Sequence, residues 1–296
     1  MQYLKTYLKK ITDRGNVKLA ESISKTADDV GNKHIKNFSF TSHEIGLLFG
    51  NVQSGKTGQM FGIMCKAADL GFPVFILLTT DNVVLQQQTL DRVKSDLEGF
   101  CICGENDARL FTDNSLIEPA IIVLKKNVRI LKLWANILNS TGFMKGNPLF
   151  VIDDEADAAS LNTLVNRDRQ SSINKYLDII KNGASSSLYL QVTGTPQAIF
   201  LQTIASGWHP YFTYYFQPGD AYLGGDFFFP VSKVPDCISF LDTMKEPTRN
   251  VVIRHLAVTA QILASGGKVS NCLFHPSVRV AAHKRYADEI SKELSW

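Results

Sequence analysis

The chain has 296 residues, of which 45% are hydrophobic and 20% are charged, and its formal charge is +3 from 31 basic and 28 acidic residues. This is close to an average soluble protein, with enough apolar residues for the core of one large or two ordinary domains. The longest apolar runs, such as VFILL at 74–78, are too short to span a membrane, and the N-terminal segment lacks the apolar stretch of a signal peptide. We therefore expect a cytoplasmic protein with no membrane partner. The near-balanced charge neither requires nor excludes a nucleic-acid partner.

The five cysteines are scattered and form no C-x-x-C pair. An odd number of cysteines in this arrangement suits a reducing compartment and indicates no disulfide framework. Cys101 and Cys103 would share one face of a strand, and two buried thiols are favoured over a zinc or redox site because no further metal ligands are near them in sequence.

The N-terminal segment, residues 1–37, is predicted to form one or two amphipathic helices. From residue 38 onward, continuous Val, Ile and Leu runs of strand length alternate with segments of helical spacing. This alternation predicts an α/β fold with a mostly parallel central sheet covered by helices on both faces. The strands are expected near residues 45–50, 74–80, 120–126, 148–154 and 187–193.

The C-terminal part of the chain differs in composition. Residues 205–230 form an aromatic-rich extension, with Gly and Pro, that we interpret as irregular or short-stranded. A helix at 250–264, a strand at 271–275 and a terminal helix then predict the start of a second α/β domain over 245–296. A whole domain of this kind needs more than about 100 residues, so we expect the chain to hold only its beginning.

The stretch GNVQSGKTG follows the first predicted strand and precedes a helix, the context that a phosphate-binding loop requires. Glycines let the backbone curl so that successive N–H groups point at phosphate oxygens, and the start of the helix adds its dipole. We expect Lys56 to contact the β- and γ-phosphates of ATP and Thr57 to bind Mg²⁺. The predicted nucleotide-binding residues are Gly50, Asn51, Val52, Gln53, Ser54, Gly55, Lys56, Thr57 and Gly58.

An acidic cluster, VIDDEAD, ends the fourth predicted strand. Ligands of open parallel sheets bind beyond the carboxyl ends of the strands, so the cluster is expected beside the glycine loop. Asp154 is the predicted Mg²⁺ partner, although Asp153 equally suits that contact, and Glu155 is the predicted general base. Asp157 is predicted to link to a later motif.

That later motif is TGTP, at the end of the fifth predicted strand. Thr193 and Thr195 are predicted to hydrogen-bond the acidic cluster and to couple the nucleotide state to movement. Taken alone, this motif favours a turn without a role.

Together, the glycine loop, the D-E-A-D sequence and TGTP resemble, in this order, the first motor domain of superfamily-two helicase-like ATPases. More narrowly, GNVQSGKT, LLTTDNVVLQQQTLDR, DDEADAASLNT, TGTPQA and YLGGDFF resemble the endonuclease Z-one domain family, over about residues 45–229. The chain departs from that family in having T-G-T-P for the more usual T-A-T-P. It also lacks most of a second motor domain, so an arginine finger cannot be assigned.

The resemblance implies a RecA-like P-loop NTPase domain over residues 38–230, with ATP and Mg²⁺ as cofactors. It also implies an ATP-driven role in bacterial restriction-modification or phage defence, with DNA as a duplex partner and with nuclease and methyltransferase partner proteins. The alternative is a nucleotide-dependent switch or assembly module that recruits such a partner without translocating. The oligomeric state is not determined by the sequence.

Contacts with the DNA backbone are predicted at two segments. The resemblance assigns one to Thr79, Thr80 and Arg92, and the sequence KKNVRILK offers Lys125, Lys126 and Arg129 as another, for which an ordinary solvated helix face is the alternative. The aromatic-rich extension would stack bases or, as we favour, pack onto the sheet.

Nuclease activity is not expected within this chain. Magnesium-dependent nuclease centres typically place an acidic residue two positions before a lysine, and the sequence contains no such pair. The six histidines show no metal-ligand spacing.

Overall fold

The computed structural model describes residues 2–142, 144–158, 160–161, 171–201, 207–219, 222–228, 230–231, 248–272 and 280–295. The chain divides into two compact units, Met1–Gly224 and Gly225–Trp296.

The first unit is built on a seven-stranded sheet in which every pairing is parallel. The strand order is β3-β4-β2-β5-β6-β1-β7. The predicted parallel α/β sheet is therefore confirmed, and the two strands that sequence patterns define least well, β3 and β7, form its edges. The strands are β1 His43–Phe49, β2 Val74–Thr79, β3 Cys101–Cys103, β4 Ala120–Lys125, β5 Pro148–Asp154, β6 Ser186–Thr193 and β7 Phe212–Tyr215.

Helices cover both faces of this sheet. Strand β2 is buried along its whole length, with Phe75 and Leu77 in one apolar core and Ile76 and Leu78 in the other. Burial on both faces explains why the central strands are continuous apolar runs and do not alternate. The helices of this unit are α1 Tyr3–Asp13, α2 Val17–Val30, a π-helix Gly31–Ile35, α3 Lys56–Asp69, α4 Val83–Asp96, α5 Ala108–Asn114, α6 Val128–Ser140, α7 Ser172–Gly183 and α8 Gln197–Phe200.

Short polar caps connect strands to helices at the carboxyl edge of the sheet. The Asn82 side chain accepts hydrogen bonds from the backbone N–H groups of Val84 and Leu85, and the Asn127 side chain accepts one from Arg129. Each cap satisfies donors that the first helical turn leaves unpaired. Helix α4 begins four residues after the end of β2, and helix α6 begins three residues after the end of β4.

The predicted cysteine pair is confirmed as two buried thiols on β3. Cys101 and Cys103 lie on one face of the strand with their Sγ atoms 3.8 Å apart. Within the described part of the chain, no three His, Cys, Asp or Glu residues cluster as a metal site.

The N-terminal helices pack against α3. Gly62 on α3 lies against the fully buried Ile23 of α2, and a β-carbon at Gly62 would lie 2.3 Å from the Ile23 Cγ2 atom. The close approach of these two helices therefore requires glycine at this position.

We expect Gly62→Val to lower the free energy of unfolding by about 1–3 kcal/mol, because the added side chain overpacks this contact. Urea unfolding of the single variants and of Gly62→Val/Ile23→Ala would measure the coupling. The double variant should be more stable than the sum of the two single effects predicts. Strict additivity would contradict the contact.

The second unit contains the helices α9 Gly225–Phe228, α10 Thr248–Ala264 and α11 Val280–Leu294. Helices α10 and α11 are joined by a hydrogen bond of 2.9 Å from the Thr248 hydroxyl to the Glu289 carboxylate. The two predicted helices are confirmed, whereas most of the predicted strand at 271–275 lies outside the described residues. None of the described helices is long and apolar enough to cross a membrane.

Candidate nucleotide-binding site

The glycine loop connects β1 to α3 at the carboxyl edge of the sheet. Gly55, the residue before α3, has a φ of 91°, and Gln53 has a φ of 58°. Two left-handed residues so close together turn the backbone sharply into the helix. The Ser54 side chain donates a hydrogen bond of 2.5 Å to the Asn51 carbonyl oxygen, which closes the turn. The predicted Lys56 and Thr57 consequently occupy the first turn of α3.

Aromatic residues from the extension after β6 pack against the glycine loop and form hydrogen bonds with it. The buried ring of Phe216 covers Gly50, where a β-carbon would lie 2.3 Å from the ring. The Tyr215 hydroxyl lies 3.0 Å from the Asn51 side-chain oxygen, and the Tyr222 hydroxyl donates a bond of 2.6 Å to the Val52 carbonyl oxygen. These contacts were not predicted from the sequence.

The same extension packs onto the sheet elsewhere. The buried Trp208 ring packs edge-on against Tyr189 at a centroid distance of 4.9 Å, and Phe212 is also buried. Packing, the favoured interpretation of the aromatic-rich extension, is confirmed for Trp208, Phe212 and Phe216. Burial leaves these rings unavailable for stacking on bases.

The acidic cluster follows β5, and β6 lies between β5 and β1. Because neighbouring strands are about 4.8 Å apart, the cluster and the glycine loop face each other across a gap of roughly 10 Å. Glu155 has a φ of 54°, an uncommon conformation for a residue with a β-carbon. The next residue, Ala156, is tied to β6 by a bond from its N–H to the Val192 carbonyl oxygen at 3.0 Å.

Asp153 is inside the protein. Its side chain is fully buried, one carboxylate oxygen accepts a hydrogen bond from Lys126 at 3.0 Å, and the other accepts one from the Tyr189 hydroxyl at 2.7 Å. Both oxygens are therefore occupied. Full burial keeps Asp153 away from a metal ion at the edge of the sheet, so this alternative is wrong, and Asp154 stays the predicted Mg²⁺ partner.

Lys126 lies in the interior as well. Its ammonium group is fully buried and also donates hydrogen bonds to the carbonyl oxygens of Asp154 and Glu155, at 2.9 and 2.7 Å. The predicted contact between Lys126 and DNA is therefore wrong, because a buried, fully engaged ammonium cannot reach a phosphate backbone.

Burial raises the pKa of Asp154 to about 6, and the negative charge of Glu155 adds to the rise, whereas the positive charges of Lys126 and Lys56 oppose it. Asp154 ends β5 and Thr57 lies in the first turn of α3, and a carboxylate with a hydroxyl is a donor set that suits Mg²⁺, which proteins commonly hold through one or two carboxylates together with substrate phosphates.

We expect the Mg²⁺-free protein to lose stability as the pH rises through about 6. The folded chain binds the Asp154 proton more tightly than the unfolded chain. Protonation of Asp154 therefore contributes its full stabilisation below the ordinary pKa of about 4, and this contribution disappears above the raised pKa of the folded protein. A shift of about two units corresponds to about 3 kcal/mol. Asp154→Asn should accordingly stabilise the protein at about pH 7.5 and much less at about pH 4.5 in urea unfolding. Equal effects at both pH values would contradict the raised pKa.

The TGTP residues bind the acidic cluster. The hydroxyl groups of Thr193 and Thr195 each donate a hydrogen bond of 2.6 Å to one oxygen of Asp157. Burial raises the pKa of Asp157, but these two bonds outweigh it and hold the pKa below its ordinary value. The predicted hydrogen bonds are thus present, and the coupling of nucleotide state to movement stays a prediction.

Gly194, between these two threonines, lies against the glycine loop. A β-carbon there would lie 3.0 Å from Lys56 Nζ and 3.3 Å from Val52 Cγ2. A β-carbon at Gly194 would therefore require small shifts of the Lys56 and Val52 side chains.

The other predicted DNA contacts divide into buried and accessible residues. Thr79 is buried, and its hydroxyl is 3.4 Å from the Leu124 carbonyl oxygen, so a DNA contact at Thr79 is wrong. Thr80 is half-buried, and Lys125 is half-buried with its Nζ 3.5 Å from Glu105. Arg92 and Arg129 are exposed. For Thr80, Lys125, Arg92 and Arg129 the DNA contact stays a prediction.

No protein-family model and no curated protein matches the chain. Among solved structures, the chain is similar to the crystal structure of the Pyrococcus furiosus Hef helicase domain, with 15% identity and a TM-score of 0.43. The match covers 91% of this chain and 52% of that one, so the chain spans about half the length of the solved structure. A TM-score of this size does not establish a common fold, and the α/β assignment rests on the sheet topology itself.

Proposed function

We propose that the chain is an ATP-binding and ATP-hydrolysing motor domain of the helicase or translocase type. The convergence of three motifs at one edge of the sheet carries this proposal. Lys56 of the glycine loop lies close to Gly194 of the TGTP loop. The hydroxyl groups flanking Gly194 bind Asp157 of the acidic cluster. A nucleotide held at the loop would therefore touch a connected set of residues.

Each part of the site has a role in this mechanism. Backbone N–H groups of residues 50–58 cradle the phosphates, and Lys56 binds the β- and γ-phosphates. Thr57 and Asp154 would hold Mg²⁺, which when bound neutralises charge on the phosphates. Glu155 orients and deprotonates the attacking water. Catalysis is then mainly positioning and electrostatic stabilisation.

We further propose DNA as the partner, in a bacterial restriction or phage-defence system of the endonuclease Z-one domain family. The amino-acid sequences of the motifs GNVQSGKT, DDEADAASLNT and TGTPQA and their order along the chain support this assignment. The exposed side chains of Arg92 and Arg129 are the accessible cations among the predicted backbone contacts. Contacts of this kind give affinity without reading the DNA sequence.

The test is ATP hydrolysis by the chain with and without duplex DNA, with Lys56→Ala as the inactive control. Hydrolysis that needs Mg²⁺ and Lys56 and is accelerated by DNA supports the motor. Hydrolysis that ignores DNA and responds to a protein partner would instead indicate the nucleotide-dependent switch. Nicking of DNA that survives Lys56→Ala would indicate a nuclease.

A further inference from the structure

The buried ammonium of Lys126 contacts the two residues whose side chains are assigned to metal binding and general base catalysis. We propose that Lys126 is a positioning residue, which holds the backbone of Asp154 and Glu155 in the conformation that hydrolysis requires. This inference rests on the proposed ATPase function. It is independent of the nature of the partner on which the domain acts.

The geometry at Glu155 carries the proposal. Lys126 Nζ donates to the carbonyl oxygens of two successive residues, Asp154 and Glu155, at 2.9 and 2.7 Å. In an extended strand successive carbonyl groups point to opposite sides, so both can reach one ammonium group only where the chain leaves the strand conformation, and Glu155 has a φ of 54°. Such a conformation persists only where the surroundings enforce it, and such residues cluster at functional sites.

Lys126 reaches this turn from another part of the sheet. It follows β4, and β2 lies between β4 and β5, so its side chain extends over the end of β2 to the acidic cluster. The Lys126 N–H is bonded to the Thr79 carbonyl oxygen at 2.9 Å, which fixes the lysine to β2. Asp153 supplies the countercharge and is itself fixed by Tyr189. A chain of bonds thus runs from β6 through Asp153 and Lys126 to the backbone of Glu155.

A purely structural ion pair is the competing explanation. It accounts for the Lys126–Asp153 bond, since a buried charge needs a partner. It does not require that the two remaining hydrogen bonds of the ammonium go to the residues on either side of the strained turn. The two explanations differ in what happens when both charges are removed together.

The experiment uses Lys126→Met/Asp153→Asn, which removes both buried charges at once and leaves neither unpaired. We expect the double variant to fold and to bind ATP within about threefold of wild type. Its kcat should fall about 10- to 100-fold, because misplacing a catalytic group by about 1 Å has an effect of this size. Hydrogen exchange at residues 154–156 should be faster than in wild type.

The matched control is Lys181→Met/Asp178→Asn. Lys181 is also a buried lysine, with its Nζ 3.3 Å from Asp178 and a bond of 3.3 Å to the Gly207 carbonyl oxygen, on helix α7 before β6. The control therefore reports the effect of losing a lysine–aspartate pair, of which the lysine is buried and the aspartate half-buried, near the amino end of β6. The kcat of Lys181→Met/Asp178→Asn should stay within about twofold of wild type.

A folded Lys126→Met/Asp153→Asn variant with wild-type kcat would overturn the proposal, as would loss of ATP binding in step with hydrolysis. If the double variant does not fold, Lys126→Arg serves instead, since it keeps the charge beside Asp153 but moves the donors away from the two carbonyl groups. A kcat of Lys126→Arg equal to wild type would equally overturn it. If the wild-type chain hydrolyses no ATP, the proposed function fails, and unchanged hydrogen exchange at 154–156 in the variants separately overturns the positioning role.

Discussion

Replacing Glu155 with glutamine should slow ATP hydrolysis by about 100- to 10 000-fold while ATP remains bound. Glutamine has nearly the shape of glutamate and adopts the same backbone conformation at a φ of 54°, but it cannot take a proton from the attacking water. The phosphate contacts of the glycine loop are unaffected by the change. The variant should therefore accumulate with ATP bound, which single-turnover kinetics and a nucleotide-retention assay would detect.

Glu98→Gln provides the control for this result. Glu98 is an exposed carboxylate whose contact is a surface ion pair of 2.7 Å with Lys10. The Glu98→Gln variant should hydrolyse ATP at the wild-type rate. Normal turnover in Glu155→Gln would exclude Glu155 as the general base and direct attention to another group at the acidic cluster.

Replacing Lys56 with alanine should weaken ATP binding by at least about 30-fold. Truncating one partner of a hydrogen-bonded charge pair in a binding site typically removes 2–5 kcal/mol, much of it from the charge that is left unpaired. The lysine stands at the start of α3, close to Gly194, at the edge of the sheet where the phosphates are proposed to bind. Titration with a fluorescent ATP analogue would measure the loss.

Lys66→Ala is the matched control, because Lys66 lies in the last turn of the same helix and is paired with Asp28 at 2.7 Å. It reports any general effect of removing a lysine from α3. Equal weakening of ATP binding in both variants would show that the effect comes from helix stability and not from phosphate recognition.

The sequence predicts the central sheet and the two loops of the candidate site because their signals are local. A strand, a glycine loop and a helix follow one another between residues 43 and 69, and the apolar runs of β1, β2 and β4 each stand between clear turn residues. The edge strands are harder to predict. Strand β3 has three residues and β7 has four, too few for a periodic pattern to emerge.

Lys125 and Lys126 show where local reasoning fails. Both follow an apolar strand and both are cations, so the sequence suggests a basic surface. Successive side chains at the end of a strand point to opposite sides, and nothing in KKN decides which lysine points inward. The inward direction of Lys126 depends on Asp153, which lies 27 residues later in sequence and needs a buried countercharge. Asp153, the alternative to Asp154 as a metal ligand, is wrong for the same reason, since its second partner, Tyr189, is a further 36 residues away.

The contact between Ile23 and Gly62 has a practical consequence for anyone who shortens this protein. A chain that begins at residue 38, where the strand–helix alternation starts, would uncover the side of α3 on which Ile23 packs. Buried apolar residues such as Phe61 would then face water, and exposed patches of this kind promote aggregation. The glycine loop leads directly into this helix, so the nucleotide site itself depends on residues that belong, by sequence pattern, to a separate segment.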